Sequence, residues 1–474
     1  MKKNIIIILI LISAIISSCT NDFEGWNIDT KSPSSVPAKT LFSNAQRNMV
    51  RTMKKQNVND NVFNFFAQYW TATTYPDEAN YDLAGRDVPG GFWNIMYRDV
   101  LLDYKEAKNV LESQRSNTAP TLLPVLNNKI AITTISEVYT FHVLVDVFGD
   151  IPYSEALNID NPSPKYDDDQ EIYTDLFIKL DNAISMLNTS EDSFGEADFI
   201  YEGDVVNWKK FANSLKLRMA LRVKDGTKVA EAVASGVFTS NADNASFMFT
   251  GSAPYANPLW ENLVESGRKD LVVADTFVDL ISPLNDPRAS IYMGSNLTPY
   301  IGGPYGSNNS YNNFTHLGDI YHTPDFEGVI MDYAEIEFLL AEAAARNLGG
   351  VANAETHYEN AITASINYWD SSADAASYIA QPSVAYDAGN WEMSIGTQKW
   401  IALYSRGFEG WSSWRVFGYP VLSAPSGAVD EAEGLVPVRY IYPGDESERN
   451  GASYEAASNA IGGDKMTSKV FWNN

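Results

Sequence analysis

The stretch NNKIAITTISEVYTFHVLVDVFGDIPYSEAL, from Asn127 to Leu157, constrains the rest of the chain most strongly. A long apolar segment runs directly into Phe148-Gly149-Asp150-Ile151-Pro152. Gly149 can leave helical geometry and Pro152 cannot continue it, so a buried element ends here in a fixed turn. Such a segment needs apolar partners, and the flanking sequence offers them at helical spacing. Phe42, Ala45, Met49 and Met53 recur at steps of three and four between Leu41 and Met53, while Arg47, Arg51 and Lys54 fall elsewhere. Trp93 to Leu111 has the same spacing, whereas Thr71 to Gly91, with Pro76, Gly85, Pro89, Gly90 and Gly91, reads as a long surface loop.

Further helices follow. Ile172, Leu176, Leu180, Ile184 and Leu187 form one stripe behind Asp167-Asp168-Asp169, and carboxylates belong at the positive end of a helix dipole. The same acidic run can be read as a structural calcium site, but an EF-hand loop spaces its acids and keeps a glycine in register. The run therefore reads as a helix start, and no metal or cofactor is expected. Asp204 caps a helix with Trp208, Phe211, Leu215 and Met219 on its buried stripe; Lys209, Lys210, Lys216, Arg218 and Arg222 are expected on a solvated face beside neighbouring acids. Tyr333, Ile336, Leu340 and Ala343 start a helix that turns at Gly349-Gly350 into a partner from Ala354 to Trp369, a helix pair with small residues at its crossings. Glu335 and Glu342 share a face of the first of these helices and read as salt-bridging or solvated groups.

The N-terminus reads as a targeting segment. Lys2 and Lys3 precede an apolar run, Ile5 to Ile12, too short to span a membrane comfortably, and Ile16-Ser17-Ser18-Cys19 fits a bacterial lipobox. Cys19 is the only cysteine, so no intramolecular disulfide can form, and acyl chains on Cys19 are the expected attachment. Residues 1–18 are thus expected to be a signal peptide and 19–40 a lipidated tether rich in Ser and Pro. Residues 41–474 are expected to form a single, mostly helical domain with long irregular loops and minor β structure. With 60 acidic against 34 basic residues, the net charge of −26 sets nucleic acid aside and leaves neutral or cationic ligands as natural partners.

FGDIPYSEA resembles the signature of the SusD/RagB family, surface nutrient-binding lipoproteins of Bacteroidetes-type bacteria. Trp93 with Tyr97, NWKKFANSLKLRMALR from Asn207, NDPRASIY from Asn285 and MDYAEIEFLLAEAAAR from Met331 match in order. So do QKWIALYSRGFEGWSSWRVFGYP from Gln398 and PVRYIYP from Pro437. The resemblance implies a SusD-like fold with tetratricopeptide-like helix pairs. It also implies an outward-facing, outer-membrane lipoprotein that passes oligosaccharide to a SusC-like TonB-dependent transporter. Some members of the family serve peptide uptake instead, and a non-catalytic surface scaffold is the third reading.

Catalysis finds little support. The four histidines, His142, His316, His322 and His357, show no metal-ligand spacing, and no GxSxG, P-loop or dinucleotide fingerprint is present. His316 and His322, with Asp319 between them, read as surface loop residues. Sugar recognition instead needs flat apolar faces with amide and carboxylate groups, carried on loops. Gln68 to Phe92 offers Trp70, Tyr75, Asp77, Asn80, Tyr81, Asp82 and Arg86; Gly294 to His322 alternates Tyr300, Tyr305, Tyr311, Phe314 and Tyr321 with Asn308, Asn309, Asn312 and Asn313. Gly302, Gly303 and Gly306 are expected to let that backbone approach a ligand. The candidate binding residues are therefore Trp70, Tyr75, Tyr81, Tyr300, Tyr305, Tyr311, Asn308 and Asn309, with Trp260 behind them. Trp93, Tyr97, Trp208, Trp400, Trp411 and Trp414 read as core, and Asp286-Pro287-Arg288, Arg415 and Arg439 as salt-bridged braces.

Overall fold

Helix α3 (Leu123–Phe148) is where the architecture begins, because its C-terminal half has no face turned to solvent. The computed structural model describes residues 36–473; the expected signal peptide, Cys19 and most of the tether lie outside them. By length and composition alone the segment Pro120–Phe148 could cross a membrane, but 94% of its most apolar window is covered by protein. It is the central strut of a helical body comprising Ala38–Asn474.

Around it lie α1 (Ala38–Lys54), α2 (Leu102–Gln114), α4 (Asp169–Met186), α5 (Val205–Arg222) and α6 (Gly226–Ser235). Helices α7 (Tyr333–Ala345), α8 (Ala354–Trp369), α9 (Trp391–Ala402) and α10 (Gly407–Phe417) follow. Sequential partners pack together as α3 with α4, α5 with α6, α7 with α8 and α9 with α10, of which α7 with α8 is the pair expected from the sequence. Asp168, Asp204 and Asp332 accept backbone N–H groups at the starts of α4, α5 and α7, caps worth about 1 kcal/mol each. The helical run expected over Trp93–Leu111 contains a wider, π-type turn, Ile95–Leu101. β structure is confined to two-stranded ribbons, pairing β1 (Trp70–Ala72) with β5 (Leu271–Val273), β2 (Ile151–Pro152) with β3 (Tyr166–Asp167) and β4 (Ala245–Phe247) with β6 (Gly328–Met331).

The end of α3 explains why distant motifs accompany it. The last carbonyls of a helix lack partners within it. Here Val145 O accepts from Gly149 N (2.8 Å), Asp146 O from Arg415 (2.6 Å), Val147 O from Tyr440 N (2.8 Å) and Phe148 O from Arg439 (3.0 Å). The two guanidinium groups also sit at the negative end of the dipole. Arg439 does form the expected carboxylate pair, with Asp464; Arg415 instead binds the Asp146 and Val438 carbonyls and lies over Trp411.

The basic island of α5 is the main departure from expectation. Lys210 and Lys216 do pair with acids near the surface, but Arg218 and Arg222 are buried. Arg218 binds Glu335 of α7 through two contacts (2.7 and 2.9 Å), and Arg222 reaches Asp146 of α3 (3.2 Å) and Glu409 of α10 (2.8 Å). Arg406 closes the network on Glu335 (2.5 Å) and Asp332 (3.1 Å). Periodicity cannot reveal this, because a charged residue fits a buried face once an opposite charge from another helix meets it. His142, beside this network, bonds Tyr173 Oη (2.8 Å), and burial holds its pKa down at about 4, so the ring is neutral at pH 7.

At the FGDIP turn, Asp150 accepts from Asp169 N (3.0 Å) and Asp169 from Phe471 N (3.0 Å), while Asp168 caps α4. Burial pushes Asp150 up to about 6 and Asp169 up to about 7. A carboxyl raised above its unfolded value stabilises the fold below about pH 4, and that contribution is lost as pH rises through about 7. Asp169→Asn, which keeps the acceptor oxygen, is therefore expected to stabilise the protein at pH 8 by roughly 1–3 kcal/mol and to have little effect at pH 4.5. Urea titrations at the two pH values check this; an equal effect at both would refute it.

Candidate functional site

The loops that carry most of the candidate residues are fastened to the β1–β5 ribbon. Trp70, Thr71 and Ala72 pair antiparallel with Val273, Val272 and Leu271, and Thr73 N extends the ladder to Asp270 O (2.7 Å). The second loop docks on the other edge of β5: Gly303 N donates to Val273 O (2.8 Å), and Val273 N to Thr315 O (3.0 Å). Asn309 N then donates to Thr73 O (2.7 Å), bringing the two loops side by side. Asn80 ties three segments, since its side chain donates to Pro76 O (3.1 Å) and Gly306 O (2.8 Å), and its carbonyl accepts from Val429 N (3.0 Å). Composition marked Asn80 as a ligand group; the fold spends it on holding loops together.

The glycines also serve packing rather than ligand approach. A Cβ on Gly302 would lie 2.3 Å from Asp275 Cα, and one on Gly303 would lie 2.5 Å from Val272. At Gly306, with φ of +71°, it would lie 2.7 Å from Asn80 and Pro425. The close approach is to the protein's own backbone and side chains.

Four of the six candidate tyrosines and tryptophan are drawn inward or elsewhere. Trp70 is 0% exposed, edge-on to Tyr321 and Tyr404, and cannot offer a face to solvent. Tyr81 is also 0% exposed; its hydroxyl accepts from Gln68 (3.2 Å) and its ring meets Phe66 edge-on at 5.6 Å. Both leave the set of exposed platform residues, because β1 is buried on both faces and Tyr81 packs under the loop against Phe66. Tyr305 is half-buried, donates to Phe65 O (2.6 Å) and packs 6.3 Å from Tyr81, so it works as a loop anchor. Tyr300 lines a separate cavity of about 530 Å3 with Asn285, Pro287 and Leu297, beside the NDPR segment. There Asp286 and Arg288 form the expected buried pair (2.6 Å).

What the loops do present is Tyr75, Asn308, Asn309 and Tyr311. Tyr75 is 66% exposed, and both asparagines are exposed. Tyr311 is half-buried and stacks on His316, with ring centres 3.9 Å apart and planes inclined by 16°. His316 donates its backbone N–H to Asn296 (2.9 Å), and its ring lies 3.3 Å from Tyr311 O. Burial lowers its pKa, which favours the neutral ring that stacks. The stack is thus braced from behind, a rigid apolar plate beside two exposed amides, of which Asn309 also donates to Ser307 O (3.1 Å). From the sequence His316 reads only as a surface loop residue alongside His322, whose ring contacts Gly318 O at 3.2 Å. A five-residue spacing across an irregular loop carries no signal for a stack, so His316 was not legible. Trp260 is half-buried, and Trp208, Trp400 and Trp411 are core as expected, whereas Trp414 keeps some surface.

A family model described as starch-binding, associating with the outer membrane, matches residues 30–443. A solved chitin-binding protein superposes with a TM-score of 0.75 at 26% identity, over 92% of this chain and 99% of that one. A SusD homolog from Bacteroides ovatus gives 0.74 at 26% identity, with coverage of 92% and 99%. A chitin-binding SusD homolog from Flavobacterium johnsoniae gives 0.79 at 24% identity, with coverage of 92% and 98%. No curated protein sequence matches.

Proposed function

From the premise that this chain belongs to the SusD-like family, starch-binding proteins that associate with the outer membrane, we propose that it captures a neutral oligosaccharide on the surface formed by Tyr75, Asn308, Asn309 and Tyr311. Proteins of this family bind and do not catalyse, and the chain carries out no covalent step. The observation that carries the reading is the Tyr311–His316 stack, a fixed apolar plate at 3.9 Å spacing beside exposed amides. The CH-rich face of a pyranose lies on such a plate, and asparagine side chains both donate to and accept from its hydroxyls. A rigid plate costs little ordering entropy when the sugar arrives.

In the same reading, Cys19 is acylated and holds the protein on the outer face of the outer membrane. A SusC-like TonB-dependent transporter receives the sugar. The lipobox-like Ile16-Ser17-Ser18-Cys19 and the family's membrane association support this placement. The chitin-binding relative at 26% identity supports a β-linked glycan as the first ligand to try.

Calorimetric titration with chito-oligosaccharides and malto-oligosaccharides tests the site. Tyr311→Ala is expected to weaken binding by about tenfold or more and Tyr75→Ala by several-fold, with melting temperature nearly unchanged because both residues lie at the rim. Undiminished binding in the Tyr75→Ala/Tyr311→Ala double variant would remove this surface from the mechanism. Binding of peptides and of no glycan would favour peptide uptake on the same fold.

A further inference from the structure

A second cleft, of about 410 Å3, opens beside the start of α1 and shares no residue with the aromatic loop surface. Lys39, Asn44 and Arg47 of α1 form one wall; Glu196, Phe199 and Tyr255 form the other. Phe199 is 38% exposed and Tyr255 46% exposed, and each is braced from the protein side. Phe199 meets Phe247 edge-on at 5.5 Å, and the Arg47 guanidinium lies 5.3 Å from the centre of the Tyr255 ring. Braced, half-exposed rings again suit the apolar face of a sugar.

Charge distinguishes this cleft from the first surface. The chain holds 60 acidic residues against 34 basic ones. Among the described residues every other arginine with exposed surface meets a carboxylate. Arg47 alone does not. It donates to Asn44 (3.1 Å) and Asn48 (3.3 Å), and its buried Nε has no partner. A guanidinium left without an anion, where anions are in excess, is a vacant receptor for one, and its planar fork matches a carboxylate. Among the described residues Lys39 beside it meets no carboxylate either, and the first turn of α1, where Lys39 sits, carries no acid, so the positive end of the helix dipole adds to its charge.

We propose that this cleft is a second ligand site, which takes a carboxylate-bearing sugar unit with its carboxylate on Arg47 and Lys39 and its ring against Phe199 and Tyr255. The volume is within the range of small-ligand sites, roughly 300–1,000 Å3. An uncharged sugar in the same cleft leaves the guanidinium desolvated and unpaired, so the site discriminates by charge. Glu196, on the rim, opposes the carboxylate and limits the affinity. The inference does not depend on the neutral-glycan surface, and either can fail alone.

Titration of the full-length protein with trigalacturonate and with its uncharged counterpart, galactotriose, tests it. Trigalacturonate is expected to bind at least tenfold more tightly than galactotriose. Arg47→Gln is expected to cost about tenfold in trigalacturonate affinity, and Tyr311→Ala nothing. Glu196→Gln is expected to tighten trigalacturonate binding, a gain that a misfolded variant cannot produce. Equal affinity for the two sugars in the Tyr75→Ala/Tyr311→Ala protein, absence of trigalacturonate binding, or loss on Tyr311→Ala but not on Arg47→Gln would overturn the proposal.

Discussion

Glu335→Ala is expected to remove about 3–5 kcal/mol of stability, because it strands two guanidinium groups inside the protein. Glu335 is 1% exposed and receives both Arg218 (2.7 and 2.9 Å) and Arg406 (2.5 Å). Without it the only carboxylate left to Arg218 is Glu409, at 3.8 Å, beside the Ile330 carbonyl at 3.4 Å, and Arg406 retains Asp332, at 3.1 Å. The loss comes from uncompensated buried charge rather than from the missing contacts themselves. Arg218→Met combined with Glu335→Leu is therefore expected to be less destabilising than the sum of the two single changes. Urea denaturation of the singles and the double forms the cycle. Additive losses would mean that water reaches the network and screens it.

Trp70→Ala is expected to act on the fold and hardly at all on ligand contacts, with a loss of about 3–5 kcal/mol for a fully buried Trp. The indole sits at 0% exposure among Tyr321, Tyr404 and the β1–β5 ribbon. Removing it loosens the strand on which Thr73 holds Asn309, so any weakening of sugar binding should follow the loss of stability. Trp70→Phe separates the effects: it fills most of the space and is expected to keep sugar affinity within about twofold. If Trp70→Phe abolished binding while the melting temperature held, the indole would be a contact residue and the reading of β1 would be wrong.

Much of the fold was legible in the sequence because helices report themselves locally. The stripe Phe42–Ala45–Met49 of α1, the caps Asp168 and Asp204, and the break at Gly149 and Pro152 each depend on residues a few positions apart. So does the pairing of α7 with α8 across Gly349 and Gly350. The surface was legible only as composition: aromatics, amides and glycines in two loops. Which rings face outward depends on partners hundreds of positions away, such as Tyr404 for Trp70 and Phe65 for Tyr305.

By itself, then, the sequence determined the helical periods, the caps, the forced turn after α3 and the excess of acid, all of which rest on short-range sterics and charge. Only the tertiary structure decided that Arg218 and Arg222 lie inside, that Trp70 and Tyr81 are core, and that Tyr311 rests on His316. Those outcomes turn on which side chain from another segment arrives at a given place. An aromatic ring or a guanidinium suits a buried site as well as an exposed one once a partner covers its polar atoms.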